Sequence, residues 1–303
     1  MYDIIGDIHG YSDHLEKLLT KLGYENRSGY YKHSERKAIF VGDYIDRGTK
    51  IRETLSVVKR MVDENSALAI MGNHEFNFLC YKTELTPGKY LRPHNESNNK
   101  QVEQTLVQFK DHENELNEYL NWFRSLPLFL ELEDIRIVHA CWDQEHTKHL
   151  NNDMTFTDEF LIELYRNKEN DLYKAVDVTL KGKEMDIPNG HFFYDKDGKK
   201  RYKTRIKWWL DPFQSTYCKY FFEIVEDLKG KPVDPLGLDS HYYYDENDIP
   251  VFCGHYWLEG DPDLQTNKVA CIDYSVAAEN NILSAYCWSG EKELKKENFV
   301  WVS

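Results

Sequence analysis

The opening of the chain constrains its fold most: three short apolar runs, at residues 2–6, 37–42 (KAIFVG) and 67–72 (ALAIMG), alternate with two amphipathic ones. In the first amphipathic run Leu15, Leu18, Leu19 and Leu22 fall at i, i+3, i+4 and i+7, with Ser12 placed to cap a helix and Gly23 to stop it. Residues 51–62 form the second. This βαβαβ order predicts an α/β fold with a mostly parallel sheet covered by helices.

Later segments are less regular. Residues 100–126 read as one helix ending at Leu126-Pro127, and 128–132 with 135–140 read as a hairpin. Strands are expected again at 250–254, 269–274, 282–288 and 299–302. Between them, 145–248 is rich in Tyr, Lys, Asp and Asn, with a helical piece near 157–166 and a turn-like Asp197-Gly198. With no internal repeat and no linker, the expected organisation is one domain over 1–303 with 145–248 as an insertion and candidate cap.

The 303 residues, 41% hydrophobic, are enough to fill a core. A net charge of −14 and the lack of any long Lys/Arg run argue against bulk nucleic-acid binding, although a nucleotide substrate is compatible with both. No window approaches 18 apolar residues and the start lacks a leader pattern, so neither a membrane span nor export is expected. Six cysteines without CxxC pairing read as reduced thiols in the cytoplasm.

Most of the apolar runs end in clusters of metal-type ligands: Asp7 and His9 within GDIHG, Asp43 and Asp46, followed by Arg47, within GDYIDRG (42–48), Asn73, His74 and Glu75 within GNHE (72–75), His139 before Ala140, and His255 after Gly254. Open α/β sheets bind ligands beyond the carboxyl ends of their strands, so these turns can converge in one crevice. Mixed carboxylate and imidazole donors suit Mn, Fe or Zn. Two such ions about 3.5–4 Å apart can clamp both oxygens of an in-line displacement and lower the pKa of a bound water.

These motifs, in this order, resemble the calcineurin-like metallophosphoesterases, specifically the serine/threonine protein phosphatase branch. They are also similar to bacterial diadenosine tetraphosphatases, which share the opening motifs and have HA in place of HGG. The resemblance implies a β-sandwich flanked by helices in α-β-β-α layers. It implies two divalent ions, with manganese first and iron or zinc as alternatives. Asp7 and His9 would bind one ion, Asn73, His139 and His255 the other, with Asp43 bridging. It makes His74 the leaving-group acid oriented by Asp46, with Arg47 holding the phosphoryl oxygens beside Asn73. The activity implied is hydrolysis of phosphate monoesters, on a phosphoprotein or a small molecule. The alternatives are symmetrical cleavage of a dinucleoside polyphosphate and a noncatalytic phosphate-binding module.

The sequence departs from the family pattern in places. Trp257 stands where many relatives have a second His, Cys141 where Gly is frequent, and Arg205 is the candidate for a second phosphate-binding arginine. His33, His94, His112, His146, His149, His191 and His241 take ordinary surface or structural readings, and Cys141 and Cys253 read as buried thiols. The aromatic stretches 191–194 and 242–244 read as packing, or as stacking surface on a cap, and the charged tract 196–203 as a solvated turn.

Overall fold

The computed structural model describes residues 1–194, 198–234, 243–245, 247–279 and 281–303. Nine strands build two sheets: β1 (Tyr2–Ile5), β2 (Lys37–Phe40), β3 (Ala67–Ala69), β4 (Phe129–Glu131), β5 (Arg136–Val138), β6 (Val251–Cys253), β7 (Val269–Cys271), β8 (Leu283–Trp288) and β9 (Phe299–Val302). The first sheet runs β9-β8-β1-β2-β3 and the second β7-β6-β5-β4. The mostly parallel sheet that the opening βαβαβ predicts is present as β1, β2 and β3, although each of the two sheets as a whole is mixed. β1, β2 and β3 are parallel, but β8 and β9 join antiparallel; β5, β6 and β7 are parallel, but β4 is not.

The sheets face each other as the layers of a sandwich. Ile4 pairs with both Ile39 and Tyr286 in one, and Phe252 with both Ile137 and Ala270 in the other; all six belong to one buried cluster. Alternation along β2 shows why: Ile39 and Val41 enter this inner core, while Ala38 and Phe40 enter the core beneath the helices. With both faces buried, the strands read as continuous apolar runs. The metallophosphoesterase-type sandwich implied by the motifs is the observed fold.

The helices α1 (Ser12–Lys21) and α2 (Ile51–Asp63) pack through Leu15, Leu18, Leu19, Leu55, Val58 and Met61. Ser12 lies inside α1 and bonds Glu16, and Tyr11 occupies the cap position, so Ser12 is not the cap. Helix α3 (Asn73–Lys82) has no clean apolar stripe, because Asn73 to Tyr81 are all buried. The helix expected over 100–126 is two, α4 (Glu96–Gln108) and α5 (Glu113–Ser125). The turn between them lets Phe109 pack against Tyr119, ring centroids 5.8 Å apart.

Helices α6 (Asp158–Arg166) and α7 (Asp171–Lys181) follow; Thr157 caps α6 through its hydroxyl. Residues 184–233 form two short ribbons, Glu184–Asp186 with Lys203–Arg205 and Phe193–Tyr194 with Lys200–Arg201, over a small core that includes Ile206, Tyr220 and Phe221. The tract 196–203 thus carries strand rather than only a turn. Its residues 196–197, like His241 and Tyr242, lie outside the described residues. Among the described residues, no helix is long and apolar enough to cross a membrane.

Candidate active site

The turns after β1, β2, β3, β5 and β6 meet at one edge of the sandwich. There they bring Asp7, His9, Asp43, Asn73, His74, His139 and His255 together, each less than a tenth exposed. The backbone does much of the positioning. His9, Asp43, Asp46, Arg47 and His255 hold φ of 48°, 52°, 69°, 63° and 73°, a left-handed conformation that costs about 1–3 kcal/mol each outside glycine. Glycine is required where backbone meets a site carboxylate: a Cβ on Gly254 would stand 2.1 Å from Asp7 Oδ1, and one on Gly72 2.2 Å from the Asp43 nitrogen.

Hydrogen bonds behind these side chains fix what they present in front. His9 Nδ1 donates to the Ile45 carbonyl at 2.9 Å and His139 Nδ1 to that of Val41 at 2.8 Å. The tautomer protonated at Nδ1 turns a bare Nε2 inward. His139 Nε2 lies 3.0 Å from Asn73 Oδ1 and 3.5 Å from Asp43 Oδ1, a lone pair aimed at two oxygens. A divalent cation between them would resolve that contact. His255 Nδ1 sits 2.6 Å from the same Asn73 oxygen. His9 Nε2 lies 3.6 Å from Asp43 Oδ2, and both it and Asp7 Oδ1 are buried with no hydrogen-bond partner.

The electrostatics point the same way. Burial, then Asp273 and Asp43, push the Asp7 carboxyl well above the carboxylate range. Burial also opposes ionisation of Asp43, but His139, His74 and His9 hold it below its ordinary value. Burial, then Arg205 and His139, drives His255 well below the usual imidazole range, which leaves it neutral and able to bind a metal. Asp43 thus stands between two groups of donors, His9 with His74 and His139 with His255, and within each group the ligand-type atoms lie no more than 4.8 Å apart. Asp7 falls outside both groups; its Oδ2 accepts the His255 N–H at 3.0 Å and its Oδ1 is the unpartnered atom. The donor set fits two divalent ions.

His74 does two things at once. Its Nε2 faces Asp43 Oδ2 at 3.9 Å, and its Nδ1 is 2.6 Å from Asp46 Oδ2. Burial alone would depress this imidazole, but Asp43 and Asp46 outweigh it and raise its pKa. Arg47 lies over the ring of Trp257, its guanidinium carbon 3.6 Å from the centroid. Trp257 therefore braces a cation rather than offering a metal ligand. Cys141 is fully buried, and burial pushes its thiol up, so it is inert packing. Arg205 stands on the ribbon Lys203–Arg205 and its charge is felt at His255, but it is outside the two donor groups. His94 has the structural role expected of it, stacked between Tyr81 and Tyr90.

Two carboxylates here carry roles that sequence reasoning missed. Glu75 takes backbone N–H bonds from Asp43 and Gly72 on Oε2 and from Tyr44 and Ile45 on Oε1, tying the β2 turn to the start of α3. Its place in GNHE, three residues after Gly72, was the available signal. Asp273 accepts the Trp257 and Ser275 N–H groups and so holds the turn after β6. Nothing around it in sequence marks that task.

Comparison with known proteins places this arrangement. A family model described as calcineurin-like phosphoesterase matches residues 2–255. The chain is 34% identical over 146 residues to an asymmetrical bis(5'-nucleosyl)-tetraphosphatase PrpE of Oceanobacillus iheyensis, covering 46% of this chain and 54% of that protein. It is 29% identical over 180 residues to a symmetrical bis(5'-nucleosyl)-tetraphosphatase of a Marinomonas species, covering 55% and 57%. The chain thus spans about half the length of these curated relatives. Among solved structures, a cold-active protein tyrosine phosphatase superposes with a TM-score of 0.50 at 19% identity, covering 96% of this chain and 77% of that one, a likeness of fold. The match of the family model over most of the chain, on the fold and strand-end motifs described above, shows that this protein belongs to the calcineurin-like phosphoesterase family, whose members use divalent metal ions.

Proposed function

We propose that the chain is a two-metal hydrolase of phosphate monoesters. Asp7 and His9 would hold one divalent ion and Asn73, His139 and His255 the other, with Asp43 shared between the two. The observation that carries this reading is the buried set of carboxylates facing bare imidazole nitrogens at the strand ends. When bound, the ions supply charge neutralisation and a water of lowered pKa. Arg47, braced by Trp257, grips the phosphoryl oxygens, and a guanidinium fork suits that task better than an ammonium. His74 delivers a proton to the leaving oxygen while Asp46 holds its ring. That pair argues against a purely phosphate-binding module, which needs no leaving-group acid. Manganese is the proposed ion, with iron and zinc compatible with the same donors.

The substrate proposed first is a phosphoprotein or small phosphomonoester, with the insertion within 145–248, which carries Arg205, as a cap. The six free cysteines support a cytoplasmic setting. A second reading, cleavage of a dinucleoside tetraphosphate, is favoured by the names of the relatives that share the motif-bearing part of the chain. The test is to strip the protein with a chelator, restore Mn²⁺, Fe²⁺ or Zn²⁺ separately, and compare p-nitrophenyl phosphate, a phosphopeptide and diadenosine tetraphosphate. Faster turnover of the peptide supports the first reading, and faster turnover of the dinucleotide replaces it with the second. No turnover with any ion sinks both.

A further inference from the structure

Helix α4 presents three polar side chains on one face, Gln101, Thr105 and Gln108, at spacings of four and three. All three reach the site. The Thr105 hydroxyl donates to Asp46 Oδ1 at 2.5 Å and accepts the Asp46 N–H at 3.1 Å, so one buried group fixes both the carboxylate and its left-handed backbone. Gln108 donates to the Gly48 carbonyl at 3.0 Å and accepts the Ile51 N–H at 2.6 Å, pinning the exit of the same turn. The Gln101 amide accepts from Arg92 at 2.6 Å, which sets its orientation and puts its nitrogen 3.3 Å from His74 Nδ1.

We infer that this stripe is a positioning element for the leaving-group acid, with Thr105 as its principal residue. Asp46 has no second side-chain anchor among the described residues apart from His74 itself. Without Thr105 the carboxylate is free to rotate, and the imidazole it orients loses its aim at the leaving oxygen. The residue touches neither metal donors nor substrate, so its loss should slow protonation and leave binding alone. The kinetic consequence rests on the phosphomonoesterase reading.

The experiment compares full-length wild type, Thr105→Val and Thr105→Ser on phenyl phosphate, a poor leaving group, and p-nitrophenyl phosphate, a good one. The valine variant should lose about 10- to 100-fold in kcat on phenyl phosphate with KM within about twofold, and less than about threefold on p-nitrophenyl phosphate. Serine, which keeps the hydroxyl, should restore most of the loss. Equal losses on both esters, a change in KM alone, or no rescue by serine overturns the inference. If the wild type hydrolyses neither ester, the functional reading fails and proton NMR still decides the structural one. The His74 Nδ1–H signal, far downfield through its bond to Asp46, should shift or vanish in Thr105→Val and persist in Thr105→Ser; an unchanged signal in the valine variant overturns it.

Discussion

At the strand-end edge, side chains are fixed by partners as distant in sequence as Asp7 and His255, 248 positions apart, whereas residues 184–233 build a small core largely from one another. The edge is tight: glycines admit backbone to within contact of carboxylates, and left-handed residues hold the donors. The other region is loose by comparison and leaves Tyr194, Tyr202, Phe213 and Ile224 at least half exposed. The contrast shows how labour is divided. The donors stand on the sandwich, while the segment bearing Arg205 meets them through Trp208, which donates to the Ala140 carbonyl and the Tyr256 hydroxyl beside His139 and His255.

Substitutions at the two regions can break or sharpen this comparison. The largest effect is expected at the carboxylate between the two donor groups: Asp43→Asn should cost about 10³-fold or more in turnover, with a thermal midpoint within about 3 °C of wild type. Retained activity would refute the bridging role. Gly254→Ala, which drives a methyl toward Asp7 Oδ1, should cost about 100-fold through displacement of the donors, measured as kcat/KM with saturating Mn²⁺. Arg47→Ala should cost about 10-fold or more in kcat/KM, chiefly through weaker phosphate binding. Phe221→Ala, in the small core, should have the least effect on chemistry. It should destabilise the 184–233 unit by about 3–5 kcal/mol, visible as faster local hydrogen exchange, and leave p-nitrophenyl phosphate turnover within about threefold. A large loss of turnover there would erase the distinction between the two regions.

The same contrast explains what could be read from the chain. The donors were legible because each sits directly after a strand, where local pattern and chemistry coincide, as in GDIHG and GDYIDRG. Helices α1 and α2 were legible because one face meets the core and the other meets water. Helix α3 was not, since burial on nearly every side removes the period that marks a helix. The strands could be located and the motifs implied a sandwich, but which strand joins which sheet could not be read, because a strand buried on both faces carries no sign of its neighbours. Thr105 was invisible for a plainer reason: it lies 59 positions from Asp46, and a threonine midway along a helix has no local mark of its partner.

The hydrogen bonds that hold the site from behind have one more consequence. Ile45 and Val41 grip the far sides of His9 and His139, the His74 N–H grips Asp43, and the His255 N–H grips Asp7; none of these contacts involves an ion. The aim of these donors is therefore set by the chain's own backbone rather than by the ions they would hold.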